Sequence, residues 1–221
     1  MLTSISKKSK LYTEAELIKM FNLQRLIGNN AHPVLSEWLT IDEVVLTSNE
    51  QEIFNAILED AIPNILNWYE EDLKMQFIAF VLRLGHFKNT PRYHPYFERT
   101  LCATIEEHYL KVKTDFMLAT GILNMPEQPY FHFQEYKRQL DPNGDPIGQL
   151  LMAMLIASEL NKHTKPLYGC YVLGKFWNFV IFQNKTYCIS KSYDCTESEK
   201  LLQIVGILRK FKNILETRLL D

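Results

Sequence analysis

Apolar residues recur every three to four positions up to Gly85 and largely every second position after it, so the chain reads as a helical lead-in followed by mixed strands and helices. In TEAELIKMFNLQRLIG, Thr13 to Gly28, a capping residue, an acidic first turn and a closing glycine predict one short helix. In SNEQEIFNAILEDA, Ser48 and Gln51 form a capping-box signature, and Ile53, Ile57 and Leu58 supply a buried stripe. A third helix is expected from near Pro63 to Gly85. Its second half is apolar almost all round, as in a helix buried on several sides, and its first half carries Glu70 and Glu71. After the polar linker HFKNTPRYHPYFER the period changes. Leu101, Ala103 and Ile105 alternate with Thr100, Cys102 and Thr104, EEH makes a turn, and YLKVKTDFMLATG completes a hairpin. GILNMPEQP then reads as a loop, YFHFQEYKRQ as a third strand, DPNGDPIG as a turn and QLLMAMLIASELN as a helix. Two further strands follow in PLYGCYVLGKFWNFVIFQNKTYCIS, broken near Gly174 and at Gln183-Asn184, before an amphipathic closing helix from Thr196.

The expectation is an α/β fold with a mixed sheet of four to five strands between helices. Residues 1–62 form an N-terminal helical extension, frayed over its first ten residues, and residues 63–221 form the main domain. At 221 residues and 47% hydrophobic content, the chain can fill a core of that size. Its 24 basic and 26 acidic residues leave a formal charge of −2, so contact with phosphates requires a local cluster, since no overall basic footprint exists. Cys102, Cys170, Cys188 and Cys195 form no CxxC pair and read as free thiols of a reducing compartment. The N-terminus is polar and no window reaches the apolar run a membrane span needs, so a cytoplasmic protein with no membrane partner is expected.

The chemistry concentrates in two strands. In YFHFQEYKRQ, alternation puts Phe131, Phe133, Glu135 and Lys137 on one face and His132, Gln134 and Tyr136 on the other, so one face turns from aromatic to ionic in a single step. In the preceding strand, Asp115 is an acid in an apolar stretch, costly unless paired or bound to a cation. If the two strands pair, Asp115 lies beside Glu135, and two adjacent carboxylates call for a hard divalent cation. Lys137 then brings a compact positive charge to the same place.

An Asp followed some twenty residues later by E-Y-K resembles the D…(E/D)xK signature of the PD-(D/E)XK nuclease superfamily, the fold of many restriction endonucleases. The resemblance extends to element order: that core runs helix, three strands, helix, strand, as residues 63–182 read. Gln149 of GQLLMAM falls where several branches open the second core helix with glutamine. From Trp68 onward the chain also looks like a set of bacterial proteins that share EYKR, GQLL, LYGCYVLGKFW and YCIS. Thr114 stands where the motif's name has proline. The resemblance implies Mg²⁺ or Mn²⁺ on Asp115, Glu135 and the Tyr136 carbonyl, with Glu70 or Glu71 reaching it through water or ligating a second ion. It further implies Lys137 orienting or activating the attacking water and stabilising charge on the phosphorane oxygens, Gln149 steadying the water or a phosphate, and a nucleic-acid substrate, DNA favoured over RNA. A homodimer would suit cutting both strands of a duplex. The alternative is a nuclease-fold module that binds nucleic acid or protein without cleaving it.

Each residue alone has a plainer reading: Asp115 paired with Lys111 or Lys113, and Glu135 with Lys137 as an exposed ion pair worth under about 1 kcal/mol. Taken together with element order and Gln149, the site outweighs these. The histidines show no ligand spacing, the aromatic series from Tyr168 to Phe182 suits a sheet core, and GKFW lacks the upstream glycines of a phosphate loop.

Overall fold

The computed structural model describes residues 10–139 and 145–220, so the expected N-terminal tail and most of the expected DPNGDPIG turn lie outside the described residues. In chain order the elements are α1 (Glu14–Phe21), β1 (Gln24–Ile27), α2 (Pro33–Leu39), α3 (Ser48–Asn64), α4 (Glu70–Leu73), a π-helical segment (Lys74–Ile78), α5 (Ala79–Leu84), β2 (His94–Ile105), β3 (His108–Ile122) and β4 (Met125–Lys137). There follow α6 (Pro146–Asn161), β5 (Leu167–Leu173), β6 (Phe176–Gln183), β7 (Thr186–Ile189), β8 (Tyr193–Asp194), α7 (Ser198–Ile214) and a closing π-helical turn (Leu215–Leu219). The α/β class holds. The sheet is larger than expected, with eight strands in the order β1-β7-β6-β5-β4-β3-β2 and β8 beside β6. β2, β3 and β4 form an antiparallel meander, and β5 returns parallel to β4 through α6. Among the described residues no helix is long and apolar enough to cross a membrane.

Helices cover both faces. One core packs α1 and α6 on the sheet, with every residue from Leu150 to Ala157 buried. The other core packs α2 to α5 and α7 around Phe116, Tyr136, Tyr168 and Phe179. Residues before Pro63 contribute to both: α1 supplies Leu17 and Phe21, and α2 supplies Trp38, whose indole N–H donates to the Ile207 carbonyl at 2.9 Å. Cys170, Cys188 and Cys195 are buried free thiols, and Cys102 is exposed.

Several local expectations change. The Thr13–Gly28 helix stops at Phe21, where Asn22 turns left-handed (φ 52°), and Gln24–Ile27 becomes a strand by pairing with β7. The capping box of α3 is Thr47 with Glu50, one residue earlier than Ser48 and Gln51. Pro63 lies in the last turn of α3 instead of opening the next helix, which starts at Glu70 after Tyr69. That next helix keeps one side in water, with Phe80 40% exposed. GILNMPEQP is no long loop, because β3 runs to Ile122 and β4 resumes at Met125. The Gly174 and Gln183-Asn184 breaks divide their segment into three strands instead of two.

Candidate metal-binding site

The β3–β4 ladder pairs Phe116 with Gln134 and Met117 with Phe133, and one step further brings Asp115 level with Glu135. There the ladder ends. The Tyr136 N–H donates to Asp115 Oδ2 at 2.8 Å, so a carboxylate takes the place of a main-chain acceptor. Alternation slips at the same point. Leu110 and Val112 belong to the core under α6, whereas Phe116 and Leu118 belong to the opposite core, although all four are even-numbered positions of β3. On β2 the corresponding residue, between the pairs Phe97–Phe116 and Arg99–Thr114, is Glu98, in the left-handed region (φ 54°). A second irregularity corrects the reading of β4. The register shifts between Leu118 and Ala119 opposite Phe131, which packs in the core away from Phe133, so Phe131 does not share the face of Glu135.

Two lysines join the acids. Lys137 Nζ lies 2.8 Å from Glu135 Oε1 and 3.3 Å from Glu70 Oε2. Lys74 Nζ lies 2.8 Å from both Glu70 Oε1 and Asp115 Oδ1, 3.2 Å from Glu98 Oε1 and 3.4 Å from Glu71 Oε1. Glu70 thus bridges the two ammoniums, and Lys113 pairs with Glu98 at the rim. Of the two acids left open by the sequence, Glu70 faces the cluster. The Glu71 side chain is 79% exposed and meets it only at Lys74. The helix delivers these groups because Tyr69 N–H bonds Asp72 Oδ2, fixing an acidic first turn, and because Glu70 and Lys74 are four residues apart and share a face.

Burial governs the charges. Glu135 is pushed up to about 8, by burial first and then by the Asp115 carboxylate, against the pull of Lys137. Asp115 is raised by burial too, with Lys74 and the Tyr136 N–H pulling the other way. Burial works against the charge on Lys74 and Lys137, but their carboxylates outweigh it and both stay above the usual lysine value. Lys137 therefore holds its proton while its own partner, Glu135, also tends to hold one, because a single ammonium does not offset both burial and Asp115.

Gln149 stands in the first turn of α6, capped by Asp145 Oδ1 accepting the Gly148 N–H at 2.8 Å. It is half-buried, and no hydrogen bond joins its side chain to Asp115, Glu135 or Lys137. Sequence reasoning missed Lys74 and Glu98. The Glu70-to-Lys74 spacing was a signal for the first, though it matches any surface ion pair, and nothing in the sequence marked the second.

Among the described residues no three Asp, Glu, His or Cys side chains stand together as a ready metal cage. Where the carboxylates converge, the positive charge between them is an ammonium. The donor chemistry nevertheless suits a hard divalent ion. Asp115 Oδ1 and Glu70 Oε1 aim at one point 2.8 Å from each, and Glu135 is adjacent. No protein-family model matches the chain, and no curated protein matches it either.

Proposed function

We propose that the chain is a metal-dependent nuclease that hydrolyses phosphodiester bonds of nucleic acid, DNA foremost, with Mg²⁺ or Mn²⁺ held by Asp115, Glu135 and Glu70. The observation that carries this reading is the meeting of Asp115, Glu135 and Lys137, some twenty residues apart in sequence, in one buried cluster at the end of the β3–β4 ladder. The order α4–α5, β2, β3, β4, α6, β5, with β5 parallel to β4, supports a restriction-endonuclease-like core. A bound divalent ion would polarise the phosphoryl oxygen, acidify a bound water and neutralise the leaving oxygen. The chain's own residues do the rest. Lys137, 12% exposed and fixed between Glu135 and Glu70, orients the attacking water and meets the charge that grows on the phosphoryl oxygens. Tyr136 N–H keeps Asp115 turned toward the site, and the Tyr136 carbonyl would be a further ligand for the ion. Gln149, in the first turn of α6, steadies water or phosphate.

The second reading, a module of the same fold that binds nucleic acid or protein without cutting, draws on one observation: two lysines already neutralise the acids. Nicking of supercoiled plasmid and cleavage of single-stranded DNA with Mn²⁺ or EDTA separate the two. Metal-dependent cleavage by the wild type, lost in Asp115→Asn and Lys137→Ala, is expected. Binding without cleavage at any metal concentration would favour the module.

A further inference from the structure

We propose that Lys74 is a tethered counter-ion: its ammonium holds the cation position between Glu70 and Asp115 and must leave before a divalent ion can bind there. The inference rests on the metal reading above and adds to it a competitor built into the chain. Its support is geometric. Lys74 Nζ makes two short contacts on the inner side, 2.8 Å each to Glu70 Oε1 and Asp115 Oδ1, and two longer ones outward, to Glu98 at 3.2 Å and Glu71 at 3.4 Å. The inner carboxylates are the more buried. Asp115 is 9% exposed in its side chain and Glu70 32%, against 41% for Glu98 and 79% for Glu71. From this one position the flexible four-carbon stem of Lys74 can carry the ammonium outward to an outer seat at Glu71 and at Glu98, which Lys113 also contacts; neither acid is among the three proposed to hold the metal. Lys137 differs. Its partners are Glu135 and Glu70 Oε2, and it has no contact with Glu98 or Glu71.

A site whose binding-competent state is only partly populated shows an affinity reduced by that fraction. A competitor that fills such a site about nine tenths of the time, for example, lowers apparent affinity about tenfold. Once displaced to the outer seat, the ammonium lies at the rim of the cluster, placed to meet a substrate phosphate.

The test is Mn²⁺ binding to the purified full chain, by calorimetry and by the shift of its thermal midpoint, for the wild type, Lys74→Met and Glu98→Gln. Removing the competitor in Lys74→Met should tighten Mn²⁺ on the order of tenfold and lower the midpoint of the metal-free protein, whose carboxylates lose their counter-ion. Glu98→Gln removes the outer seat and should weaken Mn²⁺ binding, and it decides the matter if Lys74→Met does not fold. Wild-type binding with unchanged affinity in the folded variants would overturn the role of Lys74 while leaving the metal site standing. Absence of Mn²⁺ binding in all three proteins would remove the metal reading and this inference together.

Discussion

Replacing Glu135 with glutamine should make the metal-free protein more stable. The folded-state value of about 8 lies above the ordinary 4.5, because burial and Asp115 disfavour the carboxylate. An acid raised in this way binds its proton more tightly folded than unfolded. Its contribution to stability is therefore complete below about pH 4.5 and is lost as pH rises through about 8. At ~1.4 kcal/mol per pH unit, the loss is ~3 kcal/mol at pH 7 and approaches ~5 kcal/mol above pH 8. Glutamine keeps the shape and an acceptor oxygen for Lys137 but carries no such penalty, so Glu135→Gln should exceed the wild type by those amounts and match it near pH 5. Urea unfolding in EDTA at about pH 5, 7 and 8.5 reads the difference directly, and titrations shared by both proteins cancel. Equal stability at all three values, or a variant weaker at pH 7, would mean that Lys137 holds Glu135 ionised, and the account of the site's charge would be wrong.

Further outcomes follow from the same structure. Because Glu135 holds a proton at neutral pH, Mn²⁺ binding at pH 7 should release close to one proton and tighten up to about pH 8, read as a dependence of calorimetric heat on buffer ionisation; a buffer-independent heat would count against it. His132 is fully buried and burial lowers it to about 3, so the fold keeps the imidazole neutral while the unfolded chain protonates it. Stability from this residue is complete above about pH 6.5 and is lost as pH falls toward 3, a slope that circular dichroism should find missing in His132→Leu. That variant should also lose ~1–3 kcal/mol at neutral pH: Tyr136 O–H occupies Gln134 Oε1, so the Gln134 amide N–H that donates to His132 Nε2 at 2.9 Å would be left alone. Gly121→Ala should lower the thermal midpoint by several degrees, since Gly121 has φ 146° and an added Cβ would fall 2.2 Å from the Met125 carbonyl oxygen.

Much of the site was legible because strand alternation and antiparallel pairing are local rules. From Phe133 to Lys137 the side chains fall as alternation requires, and consecutive pairing places Asp115 beside Glu135. What was not legible depended on tertiary contacts. Gln24–Ile27 continues a helical apolar spacing and becomes a strand only because β7 offers an open edge. Phe131 changes core because β4 carries an extra residue opposite the Leu118–Ala119 step, which no pattern announces. Thr47 and Glu50 match the capping box as well as Ser48 and Gln51 do, so sequence alone left the start of α3 ambiguous by one residue. Lys74 was overlooked because a lysine four residues after a glutamate is common on exposed helices.

The pairing of β1 with β7 bears on how the chain comes off the ribosome. Gln24 meets Thr186 and Ile27 meets Ile189, so this strand finds its partner only after the long stretch between them has been synthesised. Until then Gln24–Ile27 has no edge to join, and Trp38 waits for Phe211 and the Ile207 carbonyl, which come later still. Contacts of such long sequence separation slow folding, and the β2–β4 meander, whose partners are neighbours in sequence, is the part able to assemble first. The Asp115 and Glu135 pair lies within that local unit, whereas the β1–β7 edge has to wait for a partner far along the chain.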